Sequence, residues 1–271
     1  MIAACIVALL VLLALASTLS AGLGLDLAVA RSPDARNTAM RALLANLLLV
    51  PAAAAALMLV APDSDVRLAV FLVAIAPAGA TGPLLALLAG GDPTRVAVSF
   101  TALAFVSLLA PLAMLFALGA PGLGPTVLGI VAVQLVPLAL GALLRSRTPV
   151  RALALEPPVR RAGSVLLALV IALLLWDRGA LLSTLDAASF AVLAALVLAT
   201  LAAGWICARR ERGALSVLTA VRNLTLVLLL AEASAPGGRV TLVVGAYGLV
   251  MYGGALAVLL TLRSRPHSTP S

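Results

Sequence analysis

Apolar stretches of about 20 residues recur along almost the whole chain, and they restrict its fold more than any other feature. A helix needs roughly 20 apolar residues to cross about 30 Å of hydrocarbon. Of the 271 residues, 63% are hydrophobic and 10% are charged, and the mean hydropathy is +1.21, whereas a soluble domain carries roughly 25% charged residues. The sequence therefore predicts an all-α integral membrane protein with many spans.

Nine transmembrane helices are predicted from the positions of these stretches. They cover residues 2–24, 38–61, 67–90, 94–118, 124–145, 160–177, 188–207, 213–233 and 239–262. The polar segments between them are short, so we predict one transmembrane domain over residues 1–262, with four spans in 1–118 and five in 124–262. The first stretch has no positively charged start and is kept as an uncleaved span. Residues 263–271 are predicted to form a disordered cytoplasmic tail.

Arginine sets the predicted orientation, because the chain contains no lysine. Most arginines lie in the segments after spans one, three, five, seven and nine. By the positive-inside rule these segments and the C-terminus are cytoplasmic, and the N-terminus is outside. The formal net charge of +8 is then a topology signal and not evidence of nucleic acid binding. The bias towards alanine, leucine and arginine suggests that the protein lies in a bacterial plasma (inner) membrane. The lipid bilayer is therefore a predicted partner.

The sequence does not favour an enzyme. Its only histidine, His267, lies in the tail, and no Ser/His/Asp set can be assembled from positions inside the membrane. Cys5 and Cys207 fall near opposite faces, so they are not expected to pair, and no metal-ligand cluster is present in the sequence. We predict no catalytic residue and no metal site.

Spans three and eight depart from a plain apolar helix. Span three contains "APAGATGP" at its centre, and span eight contains "TAVRNLT". Because proline removes a backbone donor and disfavours helix in the residue before it, we predict non-helical backbone around Ala78 to Pro83. A matching break is predicted around Thr219 to Asn223, facing the first. The predicted helix-break residues are Pro77, Gly79, Pro83 and Thr219.

The two breaks lie five spans apart, which is an odd offset, so the broken helices are predicted to run in opposite directions through the membrane. This pattern indicates an inverted repeat that relates spans one to four to spans six to nine. Broken helices at matching positions of two inverted halves indicate the substrate site of a secondary transporter, near the membrane midplane. The alternative is a pair of kinked helices that pack on their neighbours and bind nothing.

The chain resembles the bile acid:sodium symporter family at these motifs. "APAGATGPLLALLAGGD" is similar to the proline–glycine-rich crossing-helix motif of the family, and "LSVLTAVRNLTLVLLLAEA" is similar to its second crossing helix. "STLSAGLGLDL" and "ANLLLVP", which contains Asn46, add weaker similarity. The resemblance implies a panel domain and a core domain, with two discontinuous helices that cross in the core, and symport of an organic anion by alternating access.

The family's sodium-binding positions are poorly kept. They fall on residues without a side-chain oxygen, namely Gly82, Pro83, Val96, Phe100 and Leu218. Sodium needs several hard oxygen ligands. Sodium is the one cofactor that the resemblance implies, but most of its family ligands are absent. We therefore predict transport without sodium coupling, as uniport, exchange or proton-linked movement.

Arg222 replaces a family glutamine and lies about 13 Å inside the cytoplasmic edge of span eight, at about 1.5 Å per residue. An arginine at this depth usually faces the protein interior or a cavity. One hypothesis is that Arg222 stands in for sodium and attracts a small organic anion directly. The other is that it only caps carbonyl groups freed by the helix break. The predicted substrate-binding residues are Asn46, Thr81, Gly82, Arg222, Asn223 and Thr225. A non-transporting structural or regulatory membrane protein is the alternative function.

Overall fold

The computed structural model describes residues 2–24, 32–77, 79, 81–107, 109, 123–178, 185–235 and 238–263. Every regular element within these ranges is a helix, which confirms the predicted all-helical class. The helices are α1 (Ile2–Gly24), α2 (Pro33–Leu44), α3 (Val50–Val60), α4 (Ser64–Ile75), α5 (Gly82–Leu88), α6 (Pro93–Ser107), α7 (Leu123–Arg147), α8 (Pro149–Arg178), α9 (Ala187–Cys207), α10 (Arg212–Ala220), α11 (Leu224–Ser234) and α12 (Arg239–Arg263). A π-helical turn, Ala45–Leu49, joins α2 to α3 without interruption.

Five helical segments of the described residues are long and apolar enough to cross a membrane. They are Ala4–Gly24, Pro33–Val60, Ala187–Cys207, Arg212–Ser234 and Arg239–Leu262. Helix satisfies every backbone hydrogen bond within its own segment, which hydrocarbon requires of a lipid-facing chain. The chain is therefore a membrane-spanning helical protein.

The helices fall into two groups by packing. In the first group α1 packs along both α7 and α8. The backbones of α1 and α7 approach closely where Gly22 meets Gly141, since a Cβ atom on Gly141 would lie 2.7 Å from the Leu23 nitrogen. Small residues allow such contacts between membrane helices. The second group contains α2 to α6 and α9 to α12, and its buried side chains form most of the apolar core.

The observed helices agree closely with most of the predicted spans. A difference lies in the segment before span six, predicted as a loop from 146 to 159, which is helical from Pro149 onward. Pro157 and Pro158 are tolerated inside α8 because the two carbonyl groups that lose a donor belong to Leu153 and Ala154, which are exposed. The count of nine spans stays a prediction.

Several predicted features fall outside the described residues. These are the end of span four at 110–118, Ala78 in the first break, and most of the tail, 264–271, including His267. The first tail residue, Arg263, belongs to α12.

Ion pairs join segments that were predicted to share a face of the membrane. At one end, Arg95 Nη1 lies 2.6 Å from Glu211 Oε1, which connects the start of α6 to the start of α10. At the other end, Arg239 Nη1 lies 2.6 Å from Asp63 Oδ2, which connects α12 to α4. Partial burial raises the pKa of Asp63, but hydrogen bonds from the Val66 N–H and from Arg239 outweigh it and hold this pKa below its usual value.

Candidate functional site

The first helix break separates α4 from α5. Helix α4 ends at Ile75, and Ala76 leaves helical geometry with φ −114° and ψ 71°. Pro77 has no N–H and disfavours helix in the residue before it, which explains where α4 stops. The hydroxyl group of Ser107 donates to the Pro77 carbonyl, so that carbonyl has a partner although it lies outside a helix.

The second break separates α10 from α11 and contains neither glycine nor proline. Val221 is extended, with φ −77° and ψ 96°, after α10 ends at Ala220. Asn223 then caps α11, because its side-chain Oδ1 accepts the Leu226 N–H at 3.1 Å. This break depends on a polar side chain that satisfies the new helix end.

The two breaks cross each other through backbone hydrogen bonds. The N–H of Gly79 donates to the Val221 carbonyl at 2.9 Å, and the N–H of Asn223 donates to the Ala76 carbonyl at 3.0 Å. Each break therefore supplies partners for backbone groups that the other leaves without a helical bond, as non-helical backbone at membrane depth requires. A Cβ atom on Gly79 would collide with the Arg222 carbonyl, so this approach needs glycine.

The Arg222 guanidinium lies behind this crossing and is 1% exposed. Its Nε donates to the Val73 carbonyl at 3.0 Å, and Nη2 donates to the Ala74 carbonyl at 2.6 Å. Nη1 donates to Asn46 Oδ1 and, at 3.5 Å, to the Thr219 carbonyl. Val73 and Ala74 belong to the last turn of α4, where carbonyls lack the donors of a continuing helix, although the Val73 carbonyl also accepts the Ala76 N–H at 3.3 Å. The geometry favours capping over direct contact with a substrate.

Helix dipoles supply the counter-charge for this cation. Among the described carboxylates none bonds to Arg222, and Glu232 instead accepts a hydrogen bond from Thr241 at 2.9 Å. The C-terminal ends of α4 and α10 both meet the guanidinium, and each helix C-terminus is equivalent to about −0.5 charge. Two such ends offset about one positive charge.

Asn46 reaches the guanidinium from the π-helical turn. An inserted residue in a helix changes the direction of the side chains near it, and such turns are frequent at functional sites. Asn46 is 1% exposed, its Nδ2 donates to the Ala42 carbonyl at 2.8 Å, and its Oδ1 accepts from Arg222. Asn46 is therefore a partner of Arg222 and does not face open space.

A crevice lies between the first helix group and the broken helices. Four of the predicted substrate-binding residues line it, namely Thr81, Arg222, Asn223 and Thr225. Its volume is about 30 Å³, roughly a tenth of the 300 Å³ at the small end of ligand pockets. Asn46 and Gly82, also predicted for substrate binding, are not among the residues that line it. This conformation is closed around the crossing.

Sequence reasoning missed five polar residues of the crevice wall, namely Ser17, Ser20, Arg160, Ser164 and Tyr252. The hydroxyl groups of Tyr252 and Thr81 are 2.9 Å apart. Arg160 lines the crevice from α8 and pairs with Glu156 at 3.3 Å, and Glu156 accepts from Ser20 of α1 at 3.3 Å. Arg160 had been predicted as the first residue of span six and counted among the arginines that mark the cytoplasmic side, without a role in the site.

Two of the predicted helix-break residues lie just inside helices. Pro83 is the second residue of α5, a position that tolerates proline because its N–H would have no helical partner. Thr219 is the penultimate residue of α10. Pro77 and Gly79 lie in the first break itself.

Two of the positions that the resemblance assigned to sodium ligands lie together in a small cavity apart from the crevice. Val96 of α6 and Leu218 of α10 line this space, which has a volume of about 10 Å³. Ser99 also lines it, and its hydroxyl group has no hydrogen-bond partner within the described structure.

Comparison with known proteins gave no match: no protein-family model and no curated protein sequence matches this chain.

Proposed function

We propose that this chain is a secondary transporter that resembles the bile acid:sodium symporters and moves a small organic anion by alternating access. The observation that carries the proposal is the crossing of two discontinuous helices, joined by the Gly79–Val221 and Asn223–Ala76 hydrogen bonds, beside a polar crevice. Irregular backbone within a membrane protein is tolerated where it is buried in protein or lines a cavity. In transporters such breaks hold the solute.

The crevice offers features that suit an anion. The N-terminal end of α11 faces it through Asn223, Leu224 and Thr225, and helix N-termini favour negative charge. Arg160 contributes a guanidinium from the opposite wall, and the Thr81–Tyr252 hydroxyl pair can donate hydrogen bonds. A closed crevice of about 30 Å³ requires the first helix group to move away from the crossing before a substrate enters.

Arg222 serves this transporter as a fixed cation. Its guanidinium occupies a space lined by three backbone carbonyl oxygens and the Asn46 amide oxygen, which are the kinds of ligand that a hard cation takes. A covalently attached charge at this position makes a bound sodium ion unnecessary for neutralising the two helix C-termini. Transport therefore proceeds without sodium coupling, and the Arg222 guanidinium, whose donors are engaged by these four oxygens, does not bind the substrate.

The topology proposed with this function has nine spans in two inverted halves, with the N-terminus outside and the C-terminus in the cytoplasm of a bacterium. Its support is that the Arg95–Glu211 and Arg239–Asp63 pairs join only segments with the same predicted side. The arginine-rich end is the cytoplasmic one under the positive-inside rule.

A non-transporting structural or regulatory membrane protein is the second candidate. The observation that favours it is the burial of Arg222 at 1% exposure, together with the small volume of the crevice. In such a protein the crossing would hold the broken helices together in one fixed arrangement.

Uptake into proteoliposomes distinguishes the two. The full-length protein is reconstituted, and uptake of labelled taurocholate and succinate is measured in sodium and in choline buffer. We expect uptake of at least one anion above empty liposomes, at equal rates in the two buffers. Arg160→Gln should weaken apparent affinity about tenfold, since hydrogen bonds to charged groups contribute about 1.5–3 kcal/mol.

Arg161→Gln is the matched control, because Arg161 is the exposed neighbour of Arg160 and does not line the crevice. Its uptake should equal that of the unmodified protein. Strong sodium stimulation would contradict the role given to Arg222. If neither anion is taken up and neither raises the melting temperature, the non-transporting candidate replaces the proposal.

A further inference from the structure

A second cavity opens at the predicted cytoplasmic face, away from the crossing. It has a volume of about 290 Å³, close to the lower limit of roughly 300 Å³ for small-molecule pockets. We call it the basic pocket. Four arginines and two carboxylates line it, namely Arg41, Arg95, Arg209, Arg210, Asp34 and Glu211. Positive charge is therefore in excess.

The two carboxylates are partly engaged in holding the pocket together. Glu211 Oε1 lies 2.6 Å from Arg95 Nη1, and Glu211 Oε2 accepts the Asp92 N–H at 2.9 Å. Asp34 lies 3.7 Å from Arg95. Arg95 and the two carboxylates therefore pair with one another. Arg41, Arg209 and Arg210 provide the excess positive charge.

Arg209 and Arg210 belong to the short connection between α9 and α10, and this connection is held in a constrained conformation. Glu211 has φ 55°, in the left-handed region that residues with a side chain rarely adopt. Such conformations persist where surrounding contacts fix them, and they are concentrated at functional sites. Here the two bonds of the Glu211 carboxylate fix the turn that carries the two arginines to the pocket.

Arg209 and Arg210 are exposed and have neither hydrogen bond nor ion pair with any described residue. Among the described residues, the Arg41 guanidinium has one hydrogen bond, from Nη1 to the Cys207 carbonyl at 3.0 Å. The pocket thus contains several unused N–H donors in a fork geometry that suits phosphate.

The N-terminus of α2 adds to the positive potential of the pocket. The first two turns of α2 line it through Asp34, Asn37 and Thr38, and this helix has no side-chain cap, whereas the Arg95 N–H of α6 is already bonded to Asp92 Oδ1 at 3.0 Å. Helix N-termini present free N–H groups and a partial positive charge, and they bind anions readily. The arginines and the α2 N-terminus therefore point to the same ligand charge.

We propose that the basic pocket binds a phosphate group, either of an anionic phospholipid or of a soluble phosphate. The pocket lies where α2, α6 and α10 begin, which is the depth of lipid headgroups for helices that start at the membrane edge. Basic pockets between transmembrane helices on the cytoplasmic side bind anionic headgroups. Bound phosphate joins the starts of α2 and α6 to the α9–α10 connection. This site is separate from the crevice and does not depend on transport.

Thermal unfolding of the full-length protein tests the proposal, measured in a non-ionic detergent at low and at high salt. The additions are short-chain phosphatidylglycerol, short-chain phosphatidylcholine and inorganic phosphate. We expect phosphatidylglycerol to raise the melting temperature, and the rise to shrink at high salt because exposed charges are screened. Arg209→Gln/Arg210→Gln should weaken binding about 30-fold, at about 1 kcal/mol for each arginine and 1.4 kcal/mol for each factor of ten.

Arg36→Gln/Arg151→Gln is the matched control. It removes two exposed arginines from the same predicted face, and neither lines the pocket. Its response should equal that of the unmodified protein. A phosphatidylglycerol effect lost only in Arg209→Gln/Arg210→Gln supports a lipid ligand, and the same pattern with inorganic phosphate supports a soluble one.

Equal loss in both double variants, or no effect of either phosphate source, would overturn the proposal. If the Arg209/Arg210 double variant does not fold, the single variants Arg209→Gln and Arg210→Gln give the same comparison with half the charge removed.

Discussion

The two helix breaks at the crossing are built in different ways. The break between the end of α4 at Ile75 and the start of α5 at Gly82 contains Pro77, which lacks a backbone donor, and Gly79, which allows close approach. The break between α10 and α11 spans only residues 221–223 and contains Arg222 and Asn223. The first break frees carbonyl groups at the end of α4, and the second break supplies the Arg222 side chain that bonds to them.

Because of this difference, side chains of the second break cap helices on both sides of the crossing. Arg222 caps the end of α4, on the other broken helix, whereas Asn223 caps the start of its own helix α11. The first break contributes Gly79, whose role is to let the Arg222 backbone approach. Substitutions in the second break should therefore affect more partners than substitutions in the first.

The largest effect is expected for Arg222→Met, which keeps a long apolar chain but removes every donor. The Ala74 carbonyl and the Asn46 amide oxygen would lose their donor in a buried site, and the Val73 carbonyl would lose one of two donors and keep the Ala76 N–H at 3.3 Å. Leaving a buried polar group without a partner costs about 1–3 kcal/mol, so we expect a loss of about 3 kcal/mol or more in the free energy of unfolding. Reversible unfolding in mixed micelles measures it.

Arg222→Lys is the comparison, since it keeps the charge and loses the fork of donors. It should be intermediate in stability. Low millimolar guanidinium chloride should raise the melting temperature of Arg222→Ala, by filling the vacated space, and should not raise that of the unmodified protein. A fully stable Arg222→Met protein would show that the capping contacts contribute little.

Gly79→Ala is expected to have the next largest effect, from the first break. The new methyl group would collide with the Arg222 carbonyl and lie 2.9 Å from Val221 Cγ1, so the crossing backbones must separate. Overpacking of this kind costs about 1–3 kcal/mol. The same thermal unfolding assay measures it.

Gly82→Ala is the matched change three residues later. Its methyl group would meet the flexible end of Leu218 at 3.3 Å, and Gly82 already lies in α5, where alanine is favoured. Its melting temperature should stay close to that of the unmodified protein. Equal destabilisation by the two alanines would mean that the close approach at Gly79 does not limit stability.

Asn223→Ala is expected to have the smallest effect of the three. It removes the hydrogen bond to the Leu226 N–H and leaves the contacts of Arg222 in place. Loss of an N-cap costs about 1 kcal/mol. Asn223→Asp and Asn223→Ser keep an accepting oxygen and should retain most of the stability. Were these variants as unstable as Asn223→Ala, the amide nitrogen and not the cap would be responsible.

The sequence was sufficient to predict the all-helical class, the membrane and both regions of broken helix. The length of an apolar run, proline, glycine and a polar pair within a span are local properties. Each affects the backbone at its own position in the chain. The predicted boundaries of the two breaks were too wide, since Pro83 and Thr219 lie inside helices. In a sequence, a proline in the first turn of a helix cannot be distinguished from a proline in a break.

Tertiary structure alone decided what Arg222 binds and what surrounds the crevice and the basic pocket. The partners of the guanidinium are chiefly backbone carbonyls, and Val73 and Ala74 lie 149 and 148 positions away in the chain. Every residue has a carbonyl group, so no residue type marks the ones that a buried arginine will cap. Arg160 likewise lines the crevice, and Arg209 the basic pocket, only because segments distant in the chain meet in the folded protein.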